Sequence, residues 1–501
     1  MHPTFPSHFS LQRFKPAVSM VHACRWPAIG LAAAALMASA GLRALTPDDP
    51  LGERVGGATT VFATGANAFL FPLANLSDEE GTRFVIGNSF FKRNWVEAPS
   101  STQARDGLGP HFIARSCAGC HTNGGRGAPP DVKKSSNEEP VALLLRLSVP
   151  GAGPHGGVVP EPTYGDQFHN AAVQDVKTEG RIRIRYQTIQ GRFADGTPYT
   201  LQQPSYGFEA LSYGPMAKGV LVSPRIAPQL IGAGLIDAIA EADIVGNARD
   251  QAATPGPVKG QANRVWDAFS PKGQDMRVGR FGWKANTATL AHQTAAAFNG
   301  DIGITSTQFP QENCTAAQKD CLAAPRGGPK TGASEAPEID DTTLGQVIFW
   351  GSALAPVARR EPDNAQVLQG QKLFEQAQCA ACHRPSYVTQ KGPFPQYTTA
   401  ALAGQKIWPY TDLLLHDMGK GLADGRPDFL ASGQQWRTPP LWGLGLFSDV
   451  AGHTRMLHDG RARGPLEAVL WHDGEAKPAK DAVLKMTASE RAALIRFVMS
   501  L

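Results

Sequence analysis

Two short cysteine motifs have the clearest chemical meaning in this sequence. The pattern Cys-x-x-Cys-His occurs at residues 117–121 and again at residues 379–383. In this spacing two thiols can add to the two vinyl groups of one haem, and the adjacent imidazole can bind its iron. The sequence therefore predicts two covalently bound c-type haems. The attachment residues are Cys117, Cys120, Cys379 and Cys382, and the iron ligands are His121 and His383.

Other chemistries are open to four thiols arranged in two pairs. The pairs could share one structural zinc ion, or each pair could act as a redox dithiol. A histidine follows both pairs, although only 13 of the 501 residues are histidines. This coincidence favours haem over zinc and over a dithiol.

The composition is that of a folded protein with many loops. Of the 501 residues, 42% are hydrophobic and 18% are charged, which excludes a disordered chain. The 53 glycines and 39 prolines require much of the backbone to run in turns. The net charge of +4 includes Arg13, Lys15 and Arg25 near the N-terminus, so the rest is nearly neutral. We therefore expect no nucleic-acid partner.

Residues 1–40 have the pattern of an export signal. Basic residues precede a small and apolar run, which ends in Ala38-Ser39-Ala40. This run is shorter than the ~20 residues that a membrane-spanning helix needs. We expect cleavage after residue 40 or 44 and release into the periplasm, with no membrane span in the mature protein. A buried N-terminal helix is the alternative.

Two further cysteines, Cys314 and Cys321, lie in a polar stretch without a neighbouring histidine. In an oxidising compartment we expect them to form a disulfide with a short loop. Two free thiols are the alternative.

Hydrophobic periodicity divides the mature chain into two halves. Apolar stripes at helical spacing predict helices within residues 344–354, 367–374 and 494–501. Gly370 lies in the second stripe and is small enough to allow close helix contact. Pro356 and a charged linker follow the first stripe. We therefore place an N-terminal haem domain at 41–356 and a C-terminal haem domain at 357–501.

The first half is the longer one and must contain an insertion, at about residues 140–265. Arginine and isoleucine alternate from Arg181 to Arg185, and a turn sequence follows at residues 193–197. This pattern predicts a β-hairpin. The arginines could bind an anion, but a solvated strand face is the favoured interpretation.

Several runs of residues resemble the signature sequences of a known family. They are residues 409–419 (PYTDLLLHDMG), 436–443 (WRTPPLWG), 457–462 (LHDGRA), 471–472 (WH), 282–285 (GWKA), Gln293 and 301–303 (DIG). Together they resemble the di-haem c-type cytochrome oxidoreductases, a peroxidase-like family related to bacterial di-haem cytochrome c peroxidases and MauG-type enzymes. The resemblance covers nearly the whole mature chain outside the insertion.

The resemblance implies a peroxide site in the first half. In the related peroxidases a tryptophan lies between the haems, a glutamine follows ten residues later, and an acidic residue faces the peroxide. Trp283, Gln293 and Asp301 match this series. Asp301 stands where the peroxidases usually carry glutamate, and it arrives two residues early. The alternatives are core packing for Trp283, a surface amide for Gln293, and a cap or turn for Asp301.

The resemblance also implies that the two irons differ in ligation. His458 corresponds in the second half to Trp283 in the first, and we include His458 among the candidate catalytic residues. Fourteen residues after His458 comes His472, where the related peroxidases place the sixth ligand of the electron-transfer haem. Fourteen residues after Trp283 comes Ala297, which cannot bind iron.

Other side chains could also act as axial ligands. Met418 is a rival sixth ligand for the second haem, because methionine is common in that role. His155 or His169 could cover the first iron in a resting state, as a distal histidine does in several peroxidases.

These features predict a mainly α fold with two cytochrome c-like domains, the first with a partly β, loop-rich insertion. We expect an exported peroxidase-like enzyme. Electrons from a small cytochrome or another one-electron donor enter at the second haem, pass Trp283, and reduce hydrogen peroxide at the first. The alternatives are a non-catalytic di-haem electron carrier and an oxidase of an organic, thiol or protein substrate. The resemblance also allows a calcium ion between the domains, as in relatives.

Overall fold

Short helices joined by long loops build most of the chain. A computed structural model describes residues 52–102, 105–130, 141–270, 276–328, 330–331 and 334–501. The predicted export signal and both of its cleavage points lie outside the described residues. No helix in the described ranges is long and apolar enough to cross a membrane.

The helices are concentrated in the second half of the sequence. They are α1 (Asp78–Lys92), α2 (Cys117–Cys120), α3 (Ala233–Asp237), α4 (Glu241–Ala253), α5 (Leu290–Ala297), α6 (Lys319–Ala323), α7 (Asp341–Ser352), α8 (Ala365–Gln376), α9 (Phe447–Ala451), α10 (Pro465–Trp471), α11 (Lys477–Lys485) and α12 (Ala488–Ser500).

The strands form one sheet of three strands and several pairs. They are β1 (Val96–Glu97), β2 (Asp106–Leu108), β3 (His111–Phe112), β4 (Leu143–Ser148), β5 (Gln167–Phe168), β6 (Ala171–Ala172), β7 (Arg181–Arg192), β8 (Pro198–Glu209), β9 (Leu221–Ile226), β10 (Arg264–Trp266), β11 (Met276–Val278), β12 (Lys330–Thr331), β13 (Ser334–Glu335), β14 (Tyr387–Val388), β15 (Lys406–Ile407), β16 (Leu415–Asp417) and β17 (Gln435–Arg437). The three-stranded sheet has the antiparallel order β5-β4-β9.

The prediction of a mainly α fold is wrong. The structure is 32% helix and 18% strand, and its sheets are small. The structure does not show the two predicted cytochrome c-like domains either. The physical reason is that glycine and proline interrupt the chain, so segments between the helices pair as short strands instead of extending the helices. The boundary at residues 356 and 357 stays a prediction.

Local sequence signals account for the helices near the C-terminus. At the start of α12, the Thr487 hydroxyl accepts a hydrogen bond from the Glu490 backbone N–H, and the Glu490 carboxylate accepts one from the Thr487 N–H. This is a capping box, and its Thr-x-x-Glu pattern is visible in the sequence at residues 487–490. The predicted stripe of α8 is buried, and Gly370 lies directly against Ala493 and Phe497 of α12. The glycine therefore permits the close approach of these two helices.

The hairpin β7–β8 confirms the predicted strands and turn within the insertion. Its tip reaches the last helices of the chain. The Ala194 N–H donates to the Leu484 carbonyl at 2.9 Å, and Asp195 pairs with Arg491 at 2.8 Å. Along the hairpin, the Tyr206 hydroxyl donates to Asp459 at 3.0 Å. The insertion thus fastens the first half of the chain to the second.

A disulfide joins Cys314 and Cys321, as the sequence predicts. The bond closes a loop that begins shortly after α5 and leads into α6. The alternative of two free thiols at these positions is therefore wrong.

A buried charged network ties β16 to the loop before α11. His416 donates from Nε2 to Asp412 at 2.8 Å and from Nδ1 to Glu475 at 2.7 Å. Burial alone lowers the pKa of His416, but the two carboxylates outweigh it and hold that pKa well above 6.5. His416 also lowers the pKa values of Asp412 and Glu475 against the effect of burial. The network therefore consists of an imidazolium between two carboxylates.

We predict that Gly370→Ala destabilises the protein by about 1–3 kcal/mol, the usual cost of overpacking. An added Cβ would lie 2.0 Å from the Ala493 carbonyl oxygen. The matched control is Gly246→Ala in α4, where an added Cβ meets nothing within 4 Å. That variant should gain about 0.5–1 kcal/mol from helix propensity. Guanidinium unfolding measures both changes, and equal stabilities of the two variants would contradict the close helix contact.

We predict that His416→Gln destabilises the protein more at pH 5.5 than at pH 8. Because folding raises the pKa of His416, the stabilisation is complete below pH 6.5 and declines as the pH rises towards the folded pKa. The free-energy difference between wild type and variant should shrink by about 1.4 kcal/mol for each pH unit in that range. Unfolding curves at both pH values test this. A difference that does not change with pH would show that folding does not raise the pKa of His416.

Candidate functional site

Two cavities lie inside the protein, and each is lined by one Cys-x-x-Cys-His motif. The first cavity, lined by the motif at 117–121, has a volume of about 240 Å³. The second cavity, lined by the motif at 379–383, has a volume of about 540 Å³. The four thiols therefore belong to two sites, which does not support one zinc ion shared by both pairs.

The histidine of each motif is oriented by a backbone carbonyl. The Nδ1–H of His121 donates to the Pro228 carbonyl at 2.8 Å, and that of His383 donates to the Tyr410 carbonyl at 2.9 Å. A carbonyl only accepts, so in each ring Nε2 carries the free lone pair. Burial lowers the pKa of His121, and it lowers the pKa of His383 to about 4. Both rings are therefore neutral and suited to bind iron.

The motif cysteines are protonated thiols. None of the four is in a disulfide. Burial raises the pKa of Cys117 and of Cys379 to about 12, and it also raises the pKa values of Cys120 and Cys382. A redox dithiol needs an accessible thiolate of low pKa, which these sites do not provide.

The second cavity holds further candidate iron ligands. His472 lines this cavity together with His383, and its Nδ1–H donates to the Ala468 carbonyl at 2.6 Å. Burial lowers the pKa of His472, so its Nε2 also carries a free lone pair. Met418 lines the same cavity. The choice between His472 and Met418 as the sixth ligand stays a prediction.

His458 lines the second cavity, as Trp283 does, but not the first cavity, which Asp301 and Gln293 line. Its ring stacks on Trp436 with a centroid distance of 3.7 Å, and its Nδ1–H donates to the Pro224 carbonyl at 2.8 Å. The buried Nε2 has no hydrogen-bond partner among the described residues. Any role of His458 therefore belongs to the second cavity.

The first cavity brings Asp301, Gln293 and Trp283 together, and Ala297 lines it as well. Asp301 follows α5 in a π-helical turn, Phe298–Ile302. The Gln167 amide donates to one Asp301 carboxylate oxygen at 3.1 Å, and Arg146 lies 3.8 Å from the same oxygen. Two side chains of the insertion thus hold this carboxylate at the cavity wall.

The Gln293 side chain also has a defined position. Its amide oxygen accepts a hydrogen bond from the Thr287 hydroxyl at 2.7 Å. Because Thr287 anchors the oxygen, the amide nitrogen is the end that remains for a ligand. Gln293 is therefore more constrained than a surface amide.

Trp283 lines both cavities. Its indole N–H donates to the Ile226 carbonyl at 2.8 Å, and its own carbonyl accepts the Arg437 N–H at 2.8 Å. The side chain is 6% exposed. These contacts fix the indole in the position between two sites that the resemblance implies.

The candidate distal histidines lie elsewhere. Among the described residues that line the first cavity, neither His155 nor His169 is present. His155 stacks on Trp266 at 4.3 Å, and His169 is buried between Glu179 and the Gly300 carbonyl. Covering of the first iron by either residue would require a rearrangement.

Several residues that line the cavities are not among those predicted from the sequence. The insertion contributes Arg146 and Arg225 to the first cavity, and Arg126 and Arg437 line both cavities. Arg437 lies inside the quoted run 436–443, and Arg126 follows the first motif by five residues. The positions of Arg437 and Arg126 beside these motifs could have identified both residues. The strand order that brings Arg146 and Arg225 to the cavity cannot be read from the sequence.

The predicted calcium ion has no support from side-chain clusters. Within the described ranges, the one group of three candidate ligand atoms comes from Cys382, Asp412 and His416. Calcium takes 6–8 oxygen ligands, and His416 already engages the carboxylate of this group. Calcium stays a prediction.

The residues of both cavities fit a haem. Each cavity offers a thiol pair, a neutral imidazole with a free Nε2, and a mostly apolar lining. A covalent c-type attachment uses these groups, since it consumes two thiols and needs an unprotonated nitrogen.

Comparison with known proteins agrees with this chemistry. No protein of curated function and no solved structure matches the chain. One family model, described as "di-haem oxidoreductase, putative peroxidase", matches residues 51–501. The match includes both motifs and every cavity residue named in this subsection, so the chain belongs to the di-haem oxidoreductase family.

Proposed function

We propose that this di-haem oxidoreductase reduces hydrogen peroxide to water in the first cavity, with electrons that enter at the second. The overall reaction consumes one peroxide, two electrons and two protons and gives two waters. A bound haem supplies a redox-active iron with an open position for peroxide. Cys117, Cys120 and His121 would hold one haem, and the corresponding residues at 379–383 would hold the other.

The different side chains of the two cavities carry the proposal. Among the described residues that line the first cavity, His121 is the only histidine and no methionine is present. The second cavity is lined by four histidines, including His383 and His472, and by Met418. An electron carrier needs two strong axial ligands at each iron. The first cavity lacks the second ligand, which favours an enzyme over the non-catalytic carrier.

Asp301 is the proposed proton carrier. Its carboxylate lines the first cavity, and its Oδ1 is held by the Gln167 amide and lies near Arg146. Proton transfer by a positioned carboxylate is the usual way to assist cleavage of an oxygen–oxygen bond. The two contacts orient Asp301 without moving it from the cavity wall.

Trp283 is the proposed link between the sites, because it lines both cavities and is fixed by two backbone hydrogen bonds. The electron donor would be a small cytochrome or another one-electron carrier. Exposed residues at 254–257 line the second cavity, so a donor protein can approach its contents closely.

We also propose export to the periplasm. The disulfide between Cys314 and Cys321 supports an oxidising compartment. The pattern of residues 1–40 supports the same destination.

We predict that Asp301→Asn slows peroxide reduction by roughly 10²- to 10⁴-fold, the usual effect of losing an acid–base group. Stopped-flow absorbance of the half-reduced holo-protein with hydrogen peroxide measures the rate. Asp166→Asn is the matched control, because Asp166 also pairs with Arg146, at 3.2 Å, but is not among the described residues lining the first cavity. Undiminished turnover in Asp301→Asn would assign that residue a structural role. Oxidation of an organic substrate without peroxide turnover would favour the oxidase alternative.

We predict that His472→Ala converts the second haem from low spin to high spin, whereas Met418→Ala leaves it low spin. His472 is one of three neutral imidazoles with a free Nε2 that line the second cavity, with His383 and His458, and the offset from His458 in the sequence favours it as the ligand. EPR and resonance Raman spectra of the two variants measure the spin states.

Acid–acetone extraction of the same samples tests covalent attachment, because thioether-bound haem stays with the protein.

The reverse pattern in the two variants would identify Met418 as the ligand. Two haems that both remain six-coordinate and inert to peroxide and cyanide in the wild type would overturn the enzyme and favour the electron carrier.

A further inference from the structure

Five residues line both cavities and therefore form the wall between them. They are Arg126, Trp283, Arg437, Pro439 and Pro440. The two arginines are buried, with 4% and 8% of their surface exposed. A wall between two mostly apolar cavities is an unfavourable place for two positive charges unless anions balance them.

Arg126 has no anionic partner in the described part of the chain. Its guanidinium lies over the rings of Trp283 and Phe447, 5.1 Å from each centroid. Its buried Nε makes no hydrogen bond, and the guanidinium makes no ion pair with a described residue. Burial and the nearby Arg437 lower the pKa of Arg126 to about 9. Arg126 is therefore a buried cation whose charge is not balanced by an ion pair with any described carboxylate.

Arg437 is also without a carboxylate partner among the residues that the structure describes. Its guanidinium donates to the carbonyls of Gly282, at 3.0 Å, and Thr438, at 3.1 Å. These neutral acceptors orient the group but do not balance its charge. Burial lowers the pKa of Arg437 to about 10, and the Asp412 carboxylate, which forms no ion pair with it, opposes this shift only in part.

Some other buried arginines of this chain have carboxylate partners, whereas Arg280 and Arg359 form no ion pair with a described residue. Arg461 pairs with Asp459 at 2.8 Å, and Arg225 pairs with Asp428 at 2.9 Å. Unlike Arg280 and Arg359, the two arginines of the wall line both cavities, so they are placed to meet a ligand held in either one. Since guanidinium groups bind carboxylates well, often in a bidentate way, a carboxylate ligand is the chemistry that this wall fits.

We propose that Arg126 and Arg437 form a carboxylate site for haem propionates at the wall shared by the two cavities. The two propionates are the only anionic groups on a haem periphery, and the haem is the group that each cavity is built to hold. Arg126 follows the first motif and Arg437 lies in the second half, so each half of the chain contributes one cation. This inference rests on haem binding within the proposed function and does not depend on peroxide reduction.

Such a site has a consequence for electron transfer. Each cation close to a haem favours the reduced iron over the oxidised iron, because reduction adds negative charge. Arg126 also contacts Trp283, the residue proposed to link the sites. The wall would therefore set the haem potentials and hold the haem edges beside the linking indole.

The experiment is a spectroelectrochemical titration of the holo-protein with Arg126→Gln, Arg437→Gln and the corresponding lysine variants. At the potential where a wild-type haem is half reduced, the ratio of reduced to oxidised haem should fall by about tenfold in each glutamine variant. The lysine variants keep the charge and should change this ratio by less than about threefold. Arg249→Gln is the control for loss of an exposed arginine and should match wild type.

Resonance Raman spectroscopy gives a second, independent measurement. The propionate bending bands should shift in both glutamine and both lysine variants, because neither residue reproduces the guanidinium fork. The lysine variants decide the question if the glutamine variants do not mature with haem. Unchanged potentials and unchanged propionate bands would overturn the proposal and leave the arginines as packing partners of Trp283 and Phe447.

A free anion is the competing occupant. If chloride or phosphate held the wall, wild-type potentials would depend on the concentration of that salt, and the propionate bands would not respond to the substitutions. That result would also overturn the proposal. Peroxide turnover is measured separately: absent turnover with shifted propionate bands would reject the proposed reaction and retain the propionate site.

Discussion

The wall between the two cavities is held together by hydrogen bonds between three segments that are far apart in the sequence. Trp283 is held there by the carbonyl of Ile226 and the backbone N–H of Arg437. These three residues come from the insertion, the end of the first half and the second half. The wall exists only when all three segments are in place, so the two sites cannot form independently of each other.

Several long-range contacts keep these segments together. The hairpin β7–β8 reaches the final helices through Asp195 and Arg491, and Tyr206 binds Asp459 beside the second cavity. The loop after the first motif is also tied to the second half, because the His453 imidazole donates to the Arg126 carbonyl at 2.9 Å. One large hydrophobic cluster contains Phe69 from the first half and Trp442 from the second. Many small links therefore replace a single extended sheet or helix bundle.

Two similar attachment motifs are placed in unlike surroundings. The imidazoles of His121 and His383 have the same backbone-directed orientation, and burial keeps both neutral. The difference arises from the remaining lining, which is rich in histidine in the second cavity and contains Asp301 in the first. Burial also lowers the pKa of His416, but two carboxylates contact that ring, outweigh burial and keep the ring charged. Local partners, not burial alone, decide the protonation state of each histidine.

The family, the two Cys-x-x-Cys-His motifs and several local structural signals can be read directly from the residues along the chain. The spacing of the motifs, the Thr487 cap and the hairpin strands depend on neighbouring residues, whose effects are readable along the chain. The disulfide between Cys314 and Cys321 was predictable for the same reason, because the two cysteines are only seven positions apart in the sequence.

The fold class and the composition of the cavity walls depend on contacts between residues that are far apart in the sequence. The predicted mainly α fold was wrong because pairing between distant segments, such as β4 with β9, is not encoded in local periodicity. The same pairing brings Arg146 and Arg225 to the first cavity, and the meeting of both halves brings Arg126 next to Trp283. His458 lies apart from Asp301 for this reason as well. Two segments can correspond in sequence and still direct their side chains into different cavities, because the cavity that a side chain enters depends on how the segments pack against each other.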